Sequence, residues 1–159
     1  MSVILLSREI SPDALHQLNL IEKMDVQILE YPKDSPATET MIARSDTVID
    51  ALIGYNLDGA PRGSFQEMID LINESGKTVV AYDVPSGLDA TTGECPGSCI
   101  KTNVTLSLAV PKEGLRAGDG PAASGTVFVG DIGIPAFLYN YVATDSRPPF
   151  ERAGGVITL

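Results

Sequence analysis

The run Asp83-Val84-Pro85-Ser86-Gly87-Leu88-Asp89 places a carboxylate, a hydroxyl and a glycine turn within a few residues. That set suits proton transfer, in which one carboxyl acts as acid and then as base, or an oxygen-rich cation site. The plainer alternative is that Asp83 caps a turn and Ser86 is a turn residue. A second run, Asp50-Ala51-Leu52-Ile53-Gly54-Tyr55-Asn56-Leu57-Asp58-Gly59-Ala60-Pro61-Arg62-Gly63, puts a carboxylate in an apolar stretch and follows it with a glycine-bearing loop. An unpaired buried carboxylate is costly, so Asp50 needs a partner, a cation being one option among several. Glycines 54 and 59, and Asn56, permit backbone conformations that bring a loop close to a ligand, and a helix start just beyond offers free N–H groups to a phosphate. In Pro111-Lys112-Glu113-Gly114, Lys112 is a further phosphate candidate. Cys95 and Cys99 read as loop thiols, with a disulfide the minority reading, and His16 is the only histidine, so a zinc site lacks ligands.

These motifs need elements to hold them. Short β-branched runs alternate with amphipathic stretches, the pattern of βα units on a mostly parallel sheet. Six strands are predicted, over residues 3–7, 26–30, 47–53, 78–83, 104–110 and 126–131. Ser11 is the expected N-cap of a first helix with Pro12 at its first position and Leu15, Leu18 and Ile21 on its apolar face. A short helix follows from Ser35 or Thr38. A third is predicted to start at Ser64, with Glu67 completing a capping box and Gly76 ending it. Asp50, Asp83 and Lys112 then all fall at carboxyl ends of strands, where ligands bind in such sheets. Two long loops, 85–100 and 111–125, interrupt the alternation, and loops of that length are commonly functional. A helical turn is expected over 137–141, in a single domain spanning 1–142 with an irregular tail over 143–159 that contains Arg147-Pro148-Pro149.

The chain has 159 residues, 43% hydrophobic and 20% charged, with a net charge of −10. It is too apolar for a disordered chain and has no apolar run near the ~20 residues of a membrane span. An acidic surface repels phosphate backbones and anionic lipid, so nucleic acid and membrane are not the expected partners. The Met-Ser-Val-Ile-Leu-Leu start lacks the basic region of a signal peptide, which gives a cytoplasmic expectation.

From Asp46 to about Leu138 the sequence resembles the NAD(P)HX epimerase family, also called the YjeF N-terminal domain, a Rossmann-like fold. The segments that carry the resemblance are residues 50–54, Pro61-Arg62-Gly63 and the helix after it, residues 80–89, Thr92-Gly93-Glu94, Pro111-Lys112-Glu113-Gly114 and Asp131-Ile132-Gly133-Ile134-Pro135. Their order and spacing together are specific. The resemblance implies a reaction, the interconversion of R and S epimers of hydrated NADH or NADPH (NADHX and NADPHX). It implies that Asp50 and Ser86 coordinate a potassium ion, that Gly54, Tyr55, Asn56, Leu57, Asp58, Gly59 and Ala60 form a substrate-binding loop, and that Asp83 contacts substrate. On chemical grounds Asp83 is also the expected catalytic acid and base, because a hemiaminal carbon epimerises when its hydroxyl is protonated and lost or when the ring opens and recloses.

Two departures accompany the likeness. The family's Asn-Asn-Gly-Gly-Asp-Gly loop, which supplies a potassium ligand and cradles phosphates, is absent, and the chain starts at what matches the family's second strand. Asn56 stands where many relatives have glycine. In the doubly wound order the first strand is central, so the strand at Val3 is expected to pair directly with that at Thr47 or to have the gap filled otherwise. The alternatives to an epimerase acting alone are a non-catalytic binding or scaffold module, a homodimer, and half of a split epimerase whose partner chain supplies the missing part. With few cations in the chain, Lys112, Arg62 and backbone N–H groups are the candidates for holding an anionic dinucleotide.

Overall fold

The alternation of β-branched runs and helices produces parallel strands joined by crossovers. The computed structural model describes residues 1–141, 150 and 155–159. Strands β1 (Ser2–Leu5) and β2 (Gln27–Glu30) are joined by α1 (Pro12–Ile21) and pair in parallel. Helix α2 (Ser35–Arg44) leads to β3 (Thr47–Asp50), and α3 (Ser64–Glu74) leads to β4 (Thr78–Tyr82). Then come β5 (Val104–Leu108), a 3-10 turn at Glu113–Leu115, α4 (Gly120–Ser124), β6 (Thr126–Gly130), a 3-10 segment at Ala136–Tyr141 and β7 (Val156–Thr158). The second sheet has the order β3-β4-β5-β6-β7, parallel except for β7.

The local signals account for most boundaries. Ser11 caps α1, its hydroxyl accepting the Ala14 N–H at 3.2 Å, and Pro12 follows. Of the apolar face expected on α1, Leu18 is buried while Leu15 remains 43% exposed. Gly76 ends α3 at φ +67°. The capping box does not form: Gly63 occupies the N-cap position, and the Glu67 carboxylate instead accepts the Tyr31 hydroxyl at 3.1 Å. Strands β4 and β5 stop earlier than the apolar runs suggested, because Asp83 (φ +77°) and Ala109 (φ +62°) turn the chain into the left-handed region directly after each strand. At the other end of the chain, Val156–Thr158 is not irregular but pairs antiparallel with Phe128–Gly130. The Arg147-Pro148-Pro149 segment lies outside the described residues.

The expectation that the Val3 strand pairs with the Thr47 strand is not met. β1 bonds only to β2, and β3 only to β4, so the structure has two separate sheets. They are held together by a shared core: Ile42, Met68, Ile69, Ile72, Val79 and Ile100 are buried, and Ile4 and Leu6 from the first sheet pack on them alongside Val48 and Ile53 from the second. Within this structure neither edge pairs with another strand, and Ile49 on β3 is 69% exposed.

The two faces of the larger sheet differ. Asp50, Val79, Ala81, Thr105, Ser107 and Val129 share one face by register and are all buried beneath helices and loops. On the opposite face Ile49 and Tyr82 (51%) are exposed, and Val80, Leu106 and Phe128 are only half-buried. Parallel sheets are ordinarily covered on both sides. Here the side bearing Asp50 is covered and the other is left open.

Candidate functional site

The site forms where the covered side of the sheet meets the carboxyl ends of β3, β4 and β5. Asp50 ends β3 and is fully buried. Its partners are neutral donors. Its Oδ1 accepts the Ser86 hydroxyl at 2.6 Å and the Leu52 N–H at 3.3 Å, and its Oδ2 accepts the Ser86 N–H at 2.8 Å. Among the described residues no lysine or arginine pairs with it. Desolvation raises its carboxyl pKa above the ordinary aspartate value, and the bonds from Ser86 and Leu52 only partly oppose this.

Ser86 is itself buried and reaches three ways: its Oγ donates to Asp50, accepts the Ile53 N–H at 2.9 Å, and lies 3.3 Å from the Ile53 carbonyl. This geometry depends on the turn at Gly87. Gly87 has φ +96°, and a Cβ there would sit 2.3 Å from the Ser98 carbonyl oxygen, so the chain can pass this point only as glycine.

The oxygens of Asp50, Ser86 and Ile53 therefore converge around a buried carboxylate whose charge has no ionic partner among the described residues. An all-oxygen donor set with an uncompensated negative charge fits a hard cation such as potassium. It does not fit a soft transition metal. Among the described residues no cluster of three or more His, Cys, Asp or Glu side chains could hold a metal ion of any kind, so a cation here would rest on one carboxylate, a hydroxyl and a carbonyl.

Asp83 lies just past the end of β4, one strand over from Asp50 and three residues before Ser86. Its Oδ1 accepts the Leu108 N–H at 3.0 Å and the ammonium of Lys112, which also donates to the Leu108 carbonyl at 3.0 Å. Lys112, a phosphate candidate on sequence grounds, is thus engaged by a carboxylate. The pairing has no signal in the sequence, since it depends on the backbone turns at Asp83 and Ala109.

Residues Gly54 to Ala60 form an irregular loop between β3 and α3. Gly54, Tyr55, Asn56, Asp58 and Gly59 are exposed, while Leu57 and Ala60 are half-buried. Gly59 adopts φ +69° in open space, and Ala60 abuts Gly97 of the 85–100 loop. Arg62, at the end of this loop, is exposed.

Cys95 and Cys99 are both free and half-buried, with no disulfide between them. Burial raises both thiols, Cys99 strongly, so neither is a ready nucleophile. A shallow cavity of about 320 Å³ lies elsewhere, between Leu5, Ser7, Arg8, Glu30, Tyr31 and Lys33. Its Arg8 is already bonded to Glu30 and Glu22, so it offers no free cation pair to an anion.

A family model described as YjeF-related protein N-terminus matches residues 1–114. The chain belongs to the YjeF-related N-terminal family. Among curated relatives, an NAD(P)H-hydrate epimerase of Dehalogenimonas lykanthroporepellens is 39% identical over 144 residues, covering 90% of this chain and 54% of the relative. One of Weissella koreensis with the same name is 44% identical over 110 residues, 67% of this chain and 50% of the relative. A bifunctional NAD(P)H-hydrate repair enzyme of Coxiella burnetii is 32% identical over 134 residues, 84% of this chain and 26% of the relative. The crystal structure of the yeast protein ynu0 matches 99% of this chain and 65% of its own at a TM-score of 0.74 and 21% identity, which establishes the YjeF-type Rossmann-like fold. The chain spans about half the length of the epimerases it resembles and a quarter of the bifunctional enzyme.

Proposed function

We propose that this YjeF-family chain carries the catalytic part of an NAD(P)HX epimerase site, acting on hydrated NADH and NADPH. The observation that carries the reading is the placement of Asp50, Ser86 and Asp83 at two neighbouring strand ends, beside the exposed 54–60 loop. In this reading Asp83 gives a proton to the departing hydroxyl of the hemiaminal carbon. The ring nitrogen supplies electrons as the C–O bond breaks, and water adds to the opposite face and returns its proton to Asp83. Ring opening and reclosure needs the same acid and base. Asp50 and Ser86 would hold potassium, which supplies a fixed positive charge near an anionic substrate. Gly54 to Ala60 would lie along the dinucleotide, with Arg62 and backbone N–H groups as the available partners for its phosphates.

The test is an epimerisation assay on the R epimer, coupled to an S-specific dehydratase and read as NADH regeneration, with and without potassium. Activity above the spontaneous background that falls at least 100-fold in Asp83→Asn supports the assignment. No rate above background sinks the reading for the isolated chain.

A second reading rests on the uncovered sheet face and the unpaired edges of β1 and β3. We propose that a further segment, of this protein or of another, completes the domain, supplying a strand between these edges and a helical layer over Ile49, Val80, Tyr82, Leu106 and Phe128. An exposed, continuous apolar face of this kind marks an association surface. Light scattering on the purified chain discriminates the cases. Tyr82→Glu restoring a monomer from a dimer supports self-association, and a monomer that gains activity only with an added family fragment supports a split enzyme. A monomer that binds neither itself nor such a fragment refutes the completion reading. No helix among the described residues is long and apolar enough to cross a membrane.

A further inference from the structure

We infer that Lys112 is a positioning residue for Asp83, fixing one carboxylate oxygen so that the other is the atom presented for proton transfer. This deepens the epimerase reading and rests on it for its catalytic consequence, although the structural pairing stands apart from it. Asp83 occupies φ +77°, a left-handed conformation that aspartate adopts more readily than most L-residues and that here is fixed by its surroundings.

The surroundings here are specific. The Asp83 N–H is bound to the Leu106 carbonyl at 2.9 Å, and its Oδ1 takes both the Leu108 N–H and the Lys112 ammonium. Oδ2 has no hydrogen-bond partner among the described residues, yet it is not buried, and with the side chain 17% exposed it keeps contact with solvent. Lys112 is held in turn. Its ammonium bonds the Leu108 carbonyl, and its side chain is only 19% exposed. The backbone after it is pinned where the Gly114 N–H meets the Ala90 carbonyl at 2.8 Å, and a Cβ at Gly114 would fall 2.2 Å from the Asp89 carbonyl oxygen.

Lys112 is committed to these two acceptors and is largely buried. It therefore acts through Asp83, and its loss should affect turnover and leave substrate affinity largely alone. Without it Oδ1 keeps only the Leu108 N–H, and the carboxylate can rotate; misplacement of a catalytic group by about 1 Å costs about 100-fold in rate.

The experiment compares Lys112→Met, Lys112→Gln and Lys112→Arg in the full chain by epimerisation kinetics and by the backbone amide spectrum. Each variant is first checked for wild-type folding by circular dichroism. The expected result is a kcat about 100-fold lower in the Met and Gln variants, with KM within about 3-fold and partial recovery in the Arg variant. In the spectrum, Lys112→Met and Asp83→Asn should shift the Leu108 amide similarly, and combining them should add little. A raised KM with kcat retained would assign Lys112 to substrate binding and overturn the proposal. So would a Leu108 amide that stays at its wild-type position in Lys112→Met. If the wild-type chain has no activity, the epimerase reading fails while the amide comparison still decides the Lys112–Asp83 pairing.

Discussion

Replacing Ser86 with alanine tests whether the buried carboxylate of Asp50 is held by the hydroxyl rather than by its location alone. The substitution removes the 2.6 Å bond from Ser86 Oγ to Asp50 and the acceptor for the Ile53 N–H, while the Ser86 N–H bond at 2.8 Å survives. A hydrogen bond to a charged group contributes about 1.5–3 kcal/mol. An orphaned buried N–H costs about 1–3 kcal/mol more, at the low end here because Ile53 is half-buried and water can reach it. The expected total is about 3 kcal/mol, a large share of the roughly 5–15 kcal/mol that stabilises a domain. At about 2–4 °C per kcal/mol for a chain of this size, the melting temperature should fall by about 6–12 °C. Urea unfolding followed by circular dichroism measures it directly. In the Asp50→Asn background the same substitution should cost at least about 1 kcal/mol less, because no charge is left to stabilise. A fall below about 2 °C, or an equal cost in both backgrounds, would show that Ser86 does not support the carboxylate.

Other expectations concern the same constellation. Potassium at about 100 times its dissociation constant should add about 2.7 kcal/mol of stability relative to choline, and Asp50→Asn should abolish the gain; no difference between the two salts removes the cation assignment. Because burial raises the folded-state pKa of Asp50, its contribution is fully present below the ordinary aspartate value and is lost as pH rises through the raised folded value. In potassium-free buffer, wild-type stability should therefore decline relative to Asp50→Asn as pH rises above the ordinary aspartate range, and parallel pH profiles would contradict this. Gly87→Ala forces a Cβ to 2.3 Å from the Ser98 carbonyl oxygen at φ +96°, whereas Gly59→Ala meets open space at φ +69°. The first should lose several kcal/mol or fail to fold, and the second about 1 kcal/mol; similar melting temperatures for the two would refute the packing argument.

Much of the framework was legible because it is written in local chemistry. Ser11-Pro12 starts α1 and Gly76 ends α3 for reasons contained in those residues. The strand cores were legible from their β-branched runs, but their ends were not. Ala109 carries no type-based sign that it adopts positive φ, and although aspartate tolerates that region, nothing around Asp83 in the sequence shows that it takes it there or that doing so aims it at Lys112. The identity of Lys112 invited a phosphate, yet its partner comes from a turn 29 residues away. Glu67 met the pattern of a capping box, but Tyr31 from a distant segment took its carboxylate. Ile53 gave no sequence signal at all, because its role is played by backbone atoms bonded to Ser86.

The uneven covering of the sheet separates what this chain can build alone from what it needs help to do. Every side-chain hydrogen bond of Asp50 and Ser86 is made with residues 50–53 and 86, and the loop that backs them is locked by Gly87 against Ser98 and Cys99. Asp83 and its clamp likewise lie within β4, β5 and the turn after β5. Neither group depends on the uncovered face, because register places Asp50 on the opposite, buried side of the sheet. The Asp50–Ser86 and Asp83–Lys112 pairings are thus built by this part of the fold alone. The gap between β1 and β3 interrupts the sheet beside them. A variant confined to the open face, such as Tyr82→Glu, should therefore leave potassium-dependent stability intact while abolishing any gain in activity from a complementing fragment. Loss of the potassium effect in that variant would show that the two halves of the sheet are energetically one.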